Sequence, residues 1–371
     1  MYTLLSIIGT RPEAIKMAPV VKELQKHPDR VRSVVCATGQ HRQMLDQVLD
    51  LFRIQPDVDL GVMQPNQSLS QLTASLFTGL DAVVGQMRPD WILAQGDTTT
   101  VMVSAIVAYY HQVRFGHVEA GLRTGDKRRP FPEEINRRLA DAVADAFFAP
   151  TERARQALLR EGTNDADIYV TGNTVIDALL DVAARPYNWS AGPLAGLPQG
   201  NRLVLITAHR RESFGQPFRD LCHAIRTLAV GFAAEGVHFV YPVHLNPNVR
   251  APVNEILSGL GNVSLTEPLD YLSLVQLMKR ATLILTDSGG IQEEAPSLGV
   301  PVLVMRDTTE RPEGVEAGVV RLVGTQPDRI IGEARTLLRE PAAHAAMASR
   351  ANPYGDGKAA ERIVSILLQH D

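Results

Sequence analysis

The chain has 371 residues, of which 45% are hydrophobic and 21% are charged, a composition typical of a globular protein long enough for two domains. Its 37 Lys and Arg residues and 41 Asp and Glu residues give a net charge of -4, which leaves no positive excess for sequence-independent binding of nucleic acid. Cys36 and Cys222 share no metal-type spacing, and a reduced protein is the simplest interpretation. No stretch reaches the roughly 20 apolar residues of a membrane span, and no signal peptide is recognisable. We therefore expect a cytoplasmic protein.

In the first half of the chain, short β-branched runs alternate with amphipathic helical patterns. The predicted strands are "TLLSIIG", "VRSVVCAT", "DWILAQGD", "RFGHVEAG" and "AFFAPT", which begin at residues 3, 31, 90, 114 and 146. The helical patterns between them include "EAIKMAPVVKELQK", "QHRQMLDQVLDLF" and "SLSQLTASLFTGLDAVVGQM". Strands that are apolar on both faces and separated by helices favour a parallel sheet with helical crossovers.

The second half repeats this alternation after an irregular segment rich in Pro and Gly. Residues 185–201, "RPYNWSAGPLAGLPQGN", lack periodicity and are the best linker candidate. The strands predicted after them are "RLVLITAH", "VHFVYPVH", "NVSLTEP", "TLILTDSG" and "PVLVMRD", which begin at residues 202, 237, 262, 282 and 301. The fold class that we predict is α/β, with two doubly wound, Rossmann-like domains and a cleft between them.

Polar and charged residues follow the predicted strands directly. Ligands of open parallel sheets bind beyond the carboxyl ends of the strands, so these positions are candidates for a functional site. They are Gly9-Thr10-Arg11, Gln40-His41, Gly96-Asp97-Thr98, Glu119-Ala120-Gly121, His209-Arg210-Arg211, His244 and Asp287-Ser288-Gly289-Gly290. Their concentration at the strand ends favours an enzyme.

The first half offers basic residues and carboxylates that could handle an anion and protons. Arg11 and Lys16, in "GTRPEAIKMAP", could bind one polyanion or could be solvated residues of an ordinary helix start. Asp97 could simply cap a helix. Yet Glu119 ends the next strand, and either Glu133 or its neighbour 134 could lie alongside, and clustered carboxylates can donate and accept protons near neutral pH. The basic run Arg123, Lys127, Arg128 and Arg129 could be a solvated face or a loop that closes on an anion.

The second half offers a histidine and a phosphate-binding turn. His209 could be a buried structural residue, but the adjoining Arg210 and Arg211 favour a role with an anion. The segment "TDSGGIQEEAP" presents the hydroxyl of a serine and exposed amides at a helix start, and Glu294 lies one turn further on, within reach of a ribose diol. We expect Glu293 to interact only with the helix dipole and Pro296 to kink or end the helix.

Several other types of site have no motif in the sequence. Neither H-E-x-x-H nor another ligand set with metal-type spacing occurs, and G-x-G-x-x-G and G-x-x-x-x-G-K-[ST] are both missing. The sequence therefore gives no support to a metal, nicotinamide or ATP site.

The longest strings resemble a known family, the bacterial non-hydrolysing UDP-N-acetylglucosamine 2-epimerases, from residue 7 to about 365. These strings are "GTRPEAIKMAP", "QHRQMLDQVL", "GDTTT", "GHVEAGLRTGD", "PFPEEINRR", "TGNTVIDAL", "HRRESFG", "YPVHLNPNVR", "LTDSGGIQEEAPSLGVPVLVMRDTTERPE" and "NPYGDGKAAERI". The resemblance implies the GT-B architecture, with one domain of residues 1–175 joined by a C-terminal helix, 357–371, and a UDP-binding domain of residues 176–356. It also implies a homodimer that uses no cofactor.

The resemblance further implies interconversion of UDP-N-acetylglucosamine (UDP-GlcNAc) and UDP-N-acetylmannosamine (UDP-ManNAc) through a 2-acetamidoglucal, supplying ManNAc for cell-surface polysaccharides. By similarity, the UDP-binding residues are Arg11, Lys16, Ser288, Gly289, Gly290 and Glu294, the last for the ribose. The catalytic group would be Asp97, Glu119, Glu133 and His209. Asp97 and Glu133 are our choices for proton transfer. Two questions stay open: which carboxylate serves which face of C2, and whether Glu133 or Glu134 takes the second role.

The family also includes members that bind UDP-GlcNAc as an allosteric activator. The matching positions here are Gln40, Gln43, Met44, Arg210 and His244. Asn66 stands where some members carry Arg, and this departure weakens the expectation of activation. The main alternative function is that of a GT-B glycosyltransferase that uses a UDP-sugar, because such an enzyme would share the fold and the nucleotide site.

Overall fold

The protein is described by a computed structural model for residues 2–39, 42–64 and 66–369, with the side chains of residues 42–44 outside the description. The chain divides into two compact units. Unit 1 comprises Met1–Ala178 and Tyr354–Asp371, and unit 2 comprises Leu179–Pro353.

Unit 1 is built on a parallel sheet of seven strands in the order β3-β2-β1-β4-β5-β6-β7. Its strands are β1 (Tyr2–Ile8), β2 (Val31–Ala37), β3 (Val58–Asp59), β4 (Trp91–Gln95), β5 (Arg114–Val118), β6 (Ala146–Ala149) and β7 (Ile168–Val170). Its helices are α1 (Arg11–Leu24), α2 (Arg42–Phe52), α3 (Leu69–Met87), α4 (Thr99–Tyr110), α5 (Glu133–Asp141), α6 (Glu152–Arg160) and α7 (Thr174–Ala183), which runs into unit 2. The helix α15 (Ala359–Leu367) belongs to this unit.

Unit 2 is built on a parallel sheet of six strands in the order β10-β9-β8-β11-β12-β13. Its strands are β8 (Arg202–Thr207), β9 (Val237–Pro242), β10 (Val263–Thr266), β11 (Ala281–Thr286), β12 (Val302–Val304) and β13 (Val320–Leu322). Its helices are α8 (Gln216–Gly231), α9 (Pro247–Leu257), α10 (Tyr271–Arg280), α11 (Gly289–Glu294), α12 (Pro312–Glu316), α13 (Pro327–Arg339) and α14 (Pro341–Ala348). The predicted α/β class with two Rossmann-like halves is confirmed.

The strand order of each sheet reverses at one point. In unit 1 the sheet grows in one direction from β1 to β3 and in the other from β4 to β7, and in unit 2 the reversal lies between β8 and β11. Such a switch point leaves an opening at the carboxyl ends of two adjacent strands, where ligands of this fold class bind. The central strands are apolar and buried, with Leu5 and Ile92 in unit 1 and Ile206 and Leu285 in unit 2 all fully inaccessible to solvent.

The segment 185–201 was expected to be a linker, and this prediction is wrong because it lies inside unit 2. Leu194 is fully buried. The guanidinium of Arg280 donates to the carbonyl oxygens of Pro198 and Gln199 at 2.5 and 2.7 Å. Pro and Gly indicate irregular backbone, but an irregular segment can still pack against one domain instead of connecting two.

The end of the chain returns to the first residues of unit 1. Tyr2 donates from its hydroxyl to the carbonyl of Leu367 at 2.6 Å, and Arg30 donates to the carbonyl of Leu368 at 2.7 Å. Asp177 accepts the amides of Ala359 and its neighbour at the start of α15. Across the described ranges, no helix is both long and apolar enough to cross a membrane.

Candidate active site

The turn that follows β4 holds Asp97 by contacts from two neighbouring elements. Gly96 has a left-handed φ of 89° and donates its amide to the carbonyl of Val118 at 3.0 Å. The carbonyl of Asp97 accepts from the side-chain amide of Asn136 at 3.0 Å, and its carboxylate is paired with the guanidinium of Arg137. The alternative that Asp97 caps α4 is wrong, because the hydroxyl of the next residue, Thr98, occupies that position and accepts the amide of Val101. Asp97 is therefore free of a helix-capping role, and its side chain remains 29% exposed.

Glu119 lies at the end of β5 in a left-handed conformation with a φ of 67°. A non-glycine residue adopts this conformation only when its surroundings enforce it, and such residues concentrate at functional sites. Its carboxylate accepts from the ammonium of Lys16 at 2.7 and 2.8 Å and from the amide of Asn173 at 2.9 Å, and the amide of Gln95 also contacts it. Glu119 is thus a buried carboxylate neutralised by Lys16, and the assignment of Lys16 to the diphosphate stays a prediction.

The adjacent residues Glu133 and Glu134 open α5 and have different surroundings. Glu134 is fully buried and accepts the amides of Thr124 and Gly125 at 3.1 and 3.2 Å. Its carboxylate also lies 3.4 Å from Arg137. Within the described residues, the buried Oε2 atom of Glu133 has no hydrogen-bond partner. Glu134 therefore holds the loop before α5, whereas Glu133 keeps an oxygen available for a substrate.

The turn between β1 and α1 brings a further carboxylate to unit 1. Glu13 is buried and accepts the amides of Gly9 and Thr10 at 2.5 and 3.1 Å, which closes the start of α1. Burial raises the pKa of Glu13 to about 7, and the hydrogen bonds from the two amides oppose this shift only in part. Arg11, at the first position of α1, is exposed.

In unit 2 the ends of β8 and β11 are tied together by Asp287. This buried carboxylate accepts the amides of His209 and Arg210, each at 2.7 Å. The imidazole of His209 stacks on that of His244 with ring centroids 5.1 Å apart and an interplanar angle of 12°. Burial lowers the pKa of His209, and the neighbouring His244 and Arg210 add to this effect against the opposing carboxylate of Asp287. His209 is thus favoured in its neutral form, able to accept or donate a hydrogen bond.

The helix α11 starts at the predicted phosphate turn. Ser288 precedes it and makes no side-chain cap, and a side chain added at Gly290 would lie 3.6 Å from the carboxylate of Glu294. The carboxylate of Glu294 therefore lies beside Gly290, and it accepts from the hydroxyl of Tyr271 at 2.6 Å.

Two expectations for this helix have different outcomes. Glu293 is not simply a partner of the helix dipole, because its buried carboxylate forms an ion pair with Arg311 at 2.6 Å. The expected effect of Pro296 is confirmed, since α11 ends at Glu294 and a 3₁₀ turn, Ala295–Leu298, follows it.

The positions matched to an allosteric site are described only in part. Gln40 lies outside the described residues, and so do the side chains of Gln43 and Met44. Arg210 and His244 follow β8 and β9 in unit 2. The allosteric role of these five positions stays a prediction. Within the described ranges, no group of three or more His, Cys, Asp or Glu side chains is arranged to hold a metal ion.

Several residues that hold the candidate groups were not singled out from the sequence. They are Glu13, Gln95, Arg137, Asn173 and Tyr271. Most lie in the strings quoted above, but spacing along the chain does not reveal that Asn173 contacts Glu119 across 54 positions.

Comparison with known proteins gives one consistent result. The model of a family described as UDP-N-acetylglucosamine 2-epimerase matches residues 22–368. The UDP-N-acetylglucosamine 2-epimerase of Escherichia coli (strain K12) is 53% identical over 371 residues, covering 98% of this chain and 97% of the relative. The crystal structure of UDP-GlcNAc 2-epimerase from Neisseria meningitidis bound to UDP-GlcNAc has a TM-score of 0.88 and 46% identity, covering 99% of this chain and 100% of that chain. The structure of a glycotransferase of kitacinnamycin, at 13% identity and a TM-score of 0.64 with 99% of each chain covered, shares the fold alone.

Proposed function

The chain belongs to the UDP-N-acetylglucosamine 2-epimerase family and is an epimerase, and from this premise we propose that it interconverts UDP-GlcNAc and UDP-ManNAc by eliminating and re-adding UDP. The product would supply ManNAc units for cell-surface polysaccharides. The homodimer and the cytoplasmic location remain predictions from the family resemblance and the sequence.

The observation that carries the proposed mechanism is the group of carboxylates in unit 1 with unequal partners. Glu119 is neutralised by Lys16, and Asp97 is paired with Arg137 but partly exposed. The Oε2 atom of Glu133 is buried, with no hydrogen-bond partner in the described part of the chain. A reaction that removes a proton from one face of C2 and delivers one to the other needs two such groups with different environments. We assign these transfers to Asp97 and Glu133.

In the proposed elimination, one carboxylate accepts the C2 proton while the bond between C1 and the diphosphate oxygen breaks. The electron pair of the C2–H bond forms the C1=C2 double bond of 2-acetamidoglucal, and UDP leaves with the pair from the C1–O bond. In the reverse step, a diphosphate oxygen attacks C1 and the second carboxylate delivers a proton to the opposite face of C2. Glu119 is held in an ion pair with Lys16, so in this proposal it acts by electrostatic stabilisation rather than as the proton donor.

The nucleotide is assigned to unit 2 in this proposal. The amides of Gly289 and Gly290 and the hydroxyl of Ser288 would bind the diphosphate, and Arg11 would supply positive charge as UDP leaves. Glu294, held by Tyr271, would accept the ribose hydroxyls. His209, in its neutral form, would donate a hydrogen bond to the departing diphosphate.

The proposed reaction is tested by incubating the protein with UDP-GlcNAc in deuterated water. We expect deuterium at C2 of both UDP-GlcNAc and UDP-ManNAc, because both reprotonation steps take a solvent-derived proton. A glycosyltransferase would leave C2 unlabelled, and a hydrolysing epimerase would release free ManNAc. If no UDP-ManNAc forms, the proposal is refuted.

Two variants test the assignment of the proton transfers. Asp97→Asn and Glu133→Gln should lower kcat by about 10²–10⁴-fold, the range for loss of a general acid or base, while the affinity for UDP is largely kept. A protein that only senses the nucleotide-sugar would retain its function in both variants, and this outcome would contradict the catalytic assignment.

A further inference from the structure

His117 is a buried histidine of β5 that the proposed mechanism does not use. Its side chain is inaccessible to solvent, yet both ring nitrogens have close partners. Nδ1 donates to Oδ1 of Asp141 at 2.6 Å, and Nε2 donates to the carbonyl oxygen of Gly96 at 2.7 Å. Gly96 directly precedes Asp97, so this imidazole contacts the backbone that carries a proposed proton-transfer group.

The partners of His117 determine its protonation state. A carbonyl oxygen only accepts hydrogen bonds, so Nε2 must carry a proton. Oδ2 of Asp141 accepts from Arg123 at 2.7 Å, and this guanidinium keeps the carboxylate ionised, so Nδ1 must carry a proton as well. An imidazole with both nitrogens protonated is a cation.

The surrounding charges favour this cation. Burial alone would lower the pKa of His117, but the Asp141 carboxylate and the Gly96 carbonyl hold it above its usual value. Burial would likewise raise the pKa of Asp141, but His117 and Arg123 hold it below its usual value. Arg123 is balanced in turn by Glu161, whose carboxylate accepts from it at 2.7 and 2.9 Å. Glu119, directly after β5, is paired with Lys16.

The helix α5 links this network to both proposed proton-transfer groups. Glu133 is its first residue and Asp141 its last. From the same helix, Asn136 donates to the carbonyl of Asp97 and Arg137 pairs with its carboxylate. Asp141 contacts the imidazole of His117, which in turn contacts the carbonyl of Gly96. The turn is therefore attached to α5 both directly and through a buried charged pair.

We propose that His117 is a positioning residue, held as a doubly protonated imidazolium between Asp141 and the carbonyl of Gly96, which fixes Asp97 relative to Glu133. The part of this inference that concerns catalysis rests on the proposed function, because it takes Asp97 and Glu133 as the proton-transfer groups. The protonation state itself does not depend on that assignment.

The protonation state is tested by long-range ¹⁵N NMR of the whole protein labelled at histidine nitrogens, with His117→Gln used to assign the signal. At pH 8 we expect both ring nitrogens of His117 to show the shifts of protonated nitrogens. His238 is an internal reference, since its Nε2 contacts the hydroxyl of Ser264 and burial lowers its pKa. A spectrum of His117 with one unprotonated nitrogen would overturn the proposal, because the shared proton would then reside on Asp141.

The positioning role is tested by kinetics of His117→Gln, with His238→Gln as the matched control in a strand of unit 2. We expect kcat to fall by about 10–100-fold, as for a displacement near 1 Å, with KM and UDP affinity changed by less than about threefold. Deuterium incorporation at C2 should fall by the same factor as kcat, and the control should keep wild-type rates. An unchanged kcat, or a parallel loss of UDP affinity, would overturn the role.

A second variant keeps the test decisive if His117→Gln fails to fold. Asp141→Asn retains the side-chain shape but removes the negative charge, so His117 should lose one ring proton in the NMR spectrum and kcat should fall. Retention of both ring protons in this variant would contradict the proposed pairing. If the wild-type protein does not convert UDP-GlcNAc at all, the proposed function fails, whereas the NMR result on His117 still stands or falls by itself.

Discussion

The adjacent residues Glu133 and Glu134 allow one substitution, Glu→Gln, to be made in two opposite environments. Glu134 is fully buried and accepts two backbone amides, whereas Oε2 of Glu133 is buried without a partner in the described residues. We expect Glu134→Gln to lower stability and Glu133→Gln to lower turnover. The two variants are controls for each other, because they differ by one position at the start of the same helix.

The magnitude for Glu134→Gln follows from its contacts. The oxygen of the new amide can accept from Thr124 or Gly125, but its NH₂ group would face the other amide and Arg137, which are donors. A buried donor left without an acceptor costs about 1–3 kcal/mol, and the loss of negative charge beside Arg137 adds to this, for a total of about 2–4 kcal/mol. In a unit of this size, Tm should fall by about 5–10 °C.

For Glu133→Gln we expect a small change in stability and a large loss of kcat. A carboxylate oxygen buried without a partner is costly, so a neutral amide should change the free energy of unfolding by no more than about 1 kcal/mol. Loss of an acid/base group should lower kcat by about 10²–10⁴-fold. Calorimetry and the conversion of UDP-GlcNAc measure the two effects separately. The reverse result, with Glu133→Gln unfolding early and Glu134→Gln inactive at normal Tm, would refute the assignment.

Three further predictions follow from other contacts. The pKa of Glu13 is about 7 in the folded protein, against 4.5 for a glutamate in water, so the folded state binds the proton more tightly and loses stability as pH rises between these values. In urea denaturation from pH 5 to pH 8, the wild type should lose up to about 3 kcal/mol of unfolding free energy relative to Glu13→Gln. An equal difference between the two proteins at both pH values would contradict the shift. Gly121→Ala should lower the unfolding free energy by more than about 3 kcal/mol in the same assay, because the new Cβ would lie 2.4 Å from a backbone carbonyl oxygen. The control Gly125→Ala has a similar φ of 80° but open space around it, and it should lower the unfolding free energy by about 1–2 kcal/mol. Equal losses in the two variants would show that the clash is relieved. Tyr271→Phe removes the hydroxyl that orients Glu294. UDP binding, measured by calorimetry, should weaken by about threefold to tenfold while kcat is kept. Unchanged affinity would argue against a ribose contact at Glu294.

The sequence predicted the central strands of both sheets because each is a run of apolar residues between turn signals. It did not predict β3, β7 and β13, which have only two or three residues each. Val58–Asp59 and Ile168–Val170 lie at the two edges of the first sheet. A strand this short has no measurable periodicity, and its pairing is determined by the neighbouring strand.

The sequence pointed to candidate positions for the site but not to the residues that contact them. Asp97, Glu119 and His209 were singled out as candidates because polar residues that directly follow parallel strands lie at the carboxyl edge of their own sheet. The pair of Lys16 with Glu119 joins residues 103 positions apart, and no local pattern encodes it. The distinction between Glu133 and Glu134 likewise depends on a loop that folds back to donate two amides to only one of them.

The return of α15 to unit 1 has a consequence for the order in which a ribosome completes the protein. The hydroxyl of Tyr2 and its acceptor, the carbonyl of Leu367, are 365 positions apart, so at 5–20 residues per second the acceptor is synthesised about 20–70 s after the donor. Unit 2 is one continuous stretch and can fold during this interval. Until α15 is synthesised, the surface of α1 that α15 contacts stays open in the nascent chain. Synthesis of the unit that carries Asp97 therefore starts before that of unit 2 and ends after it.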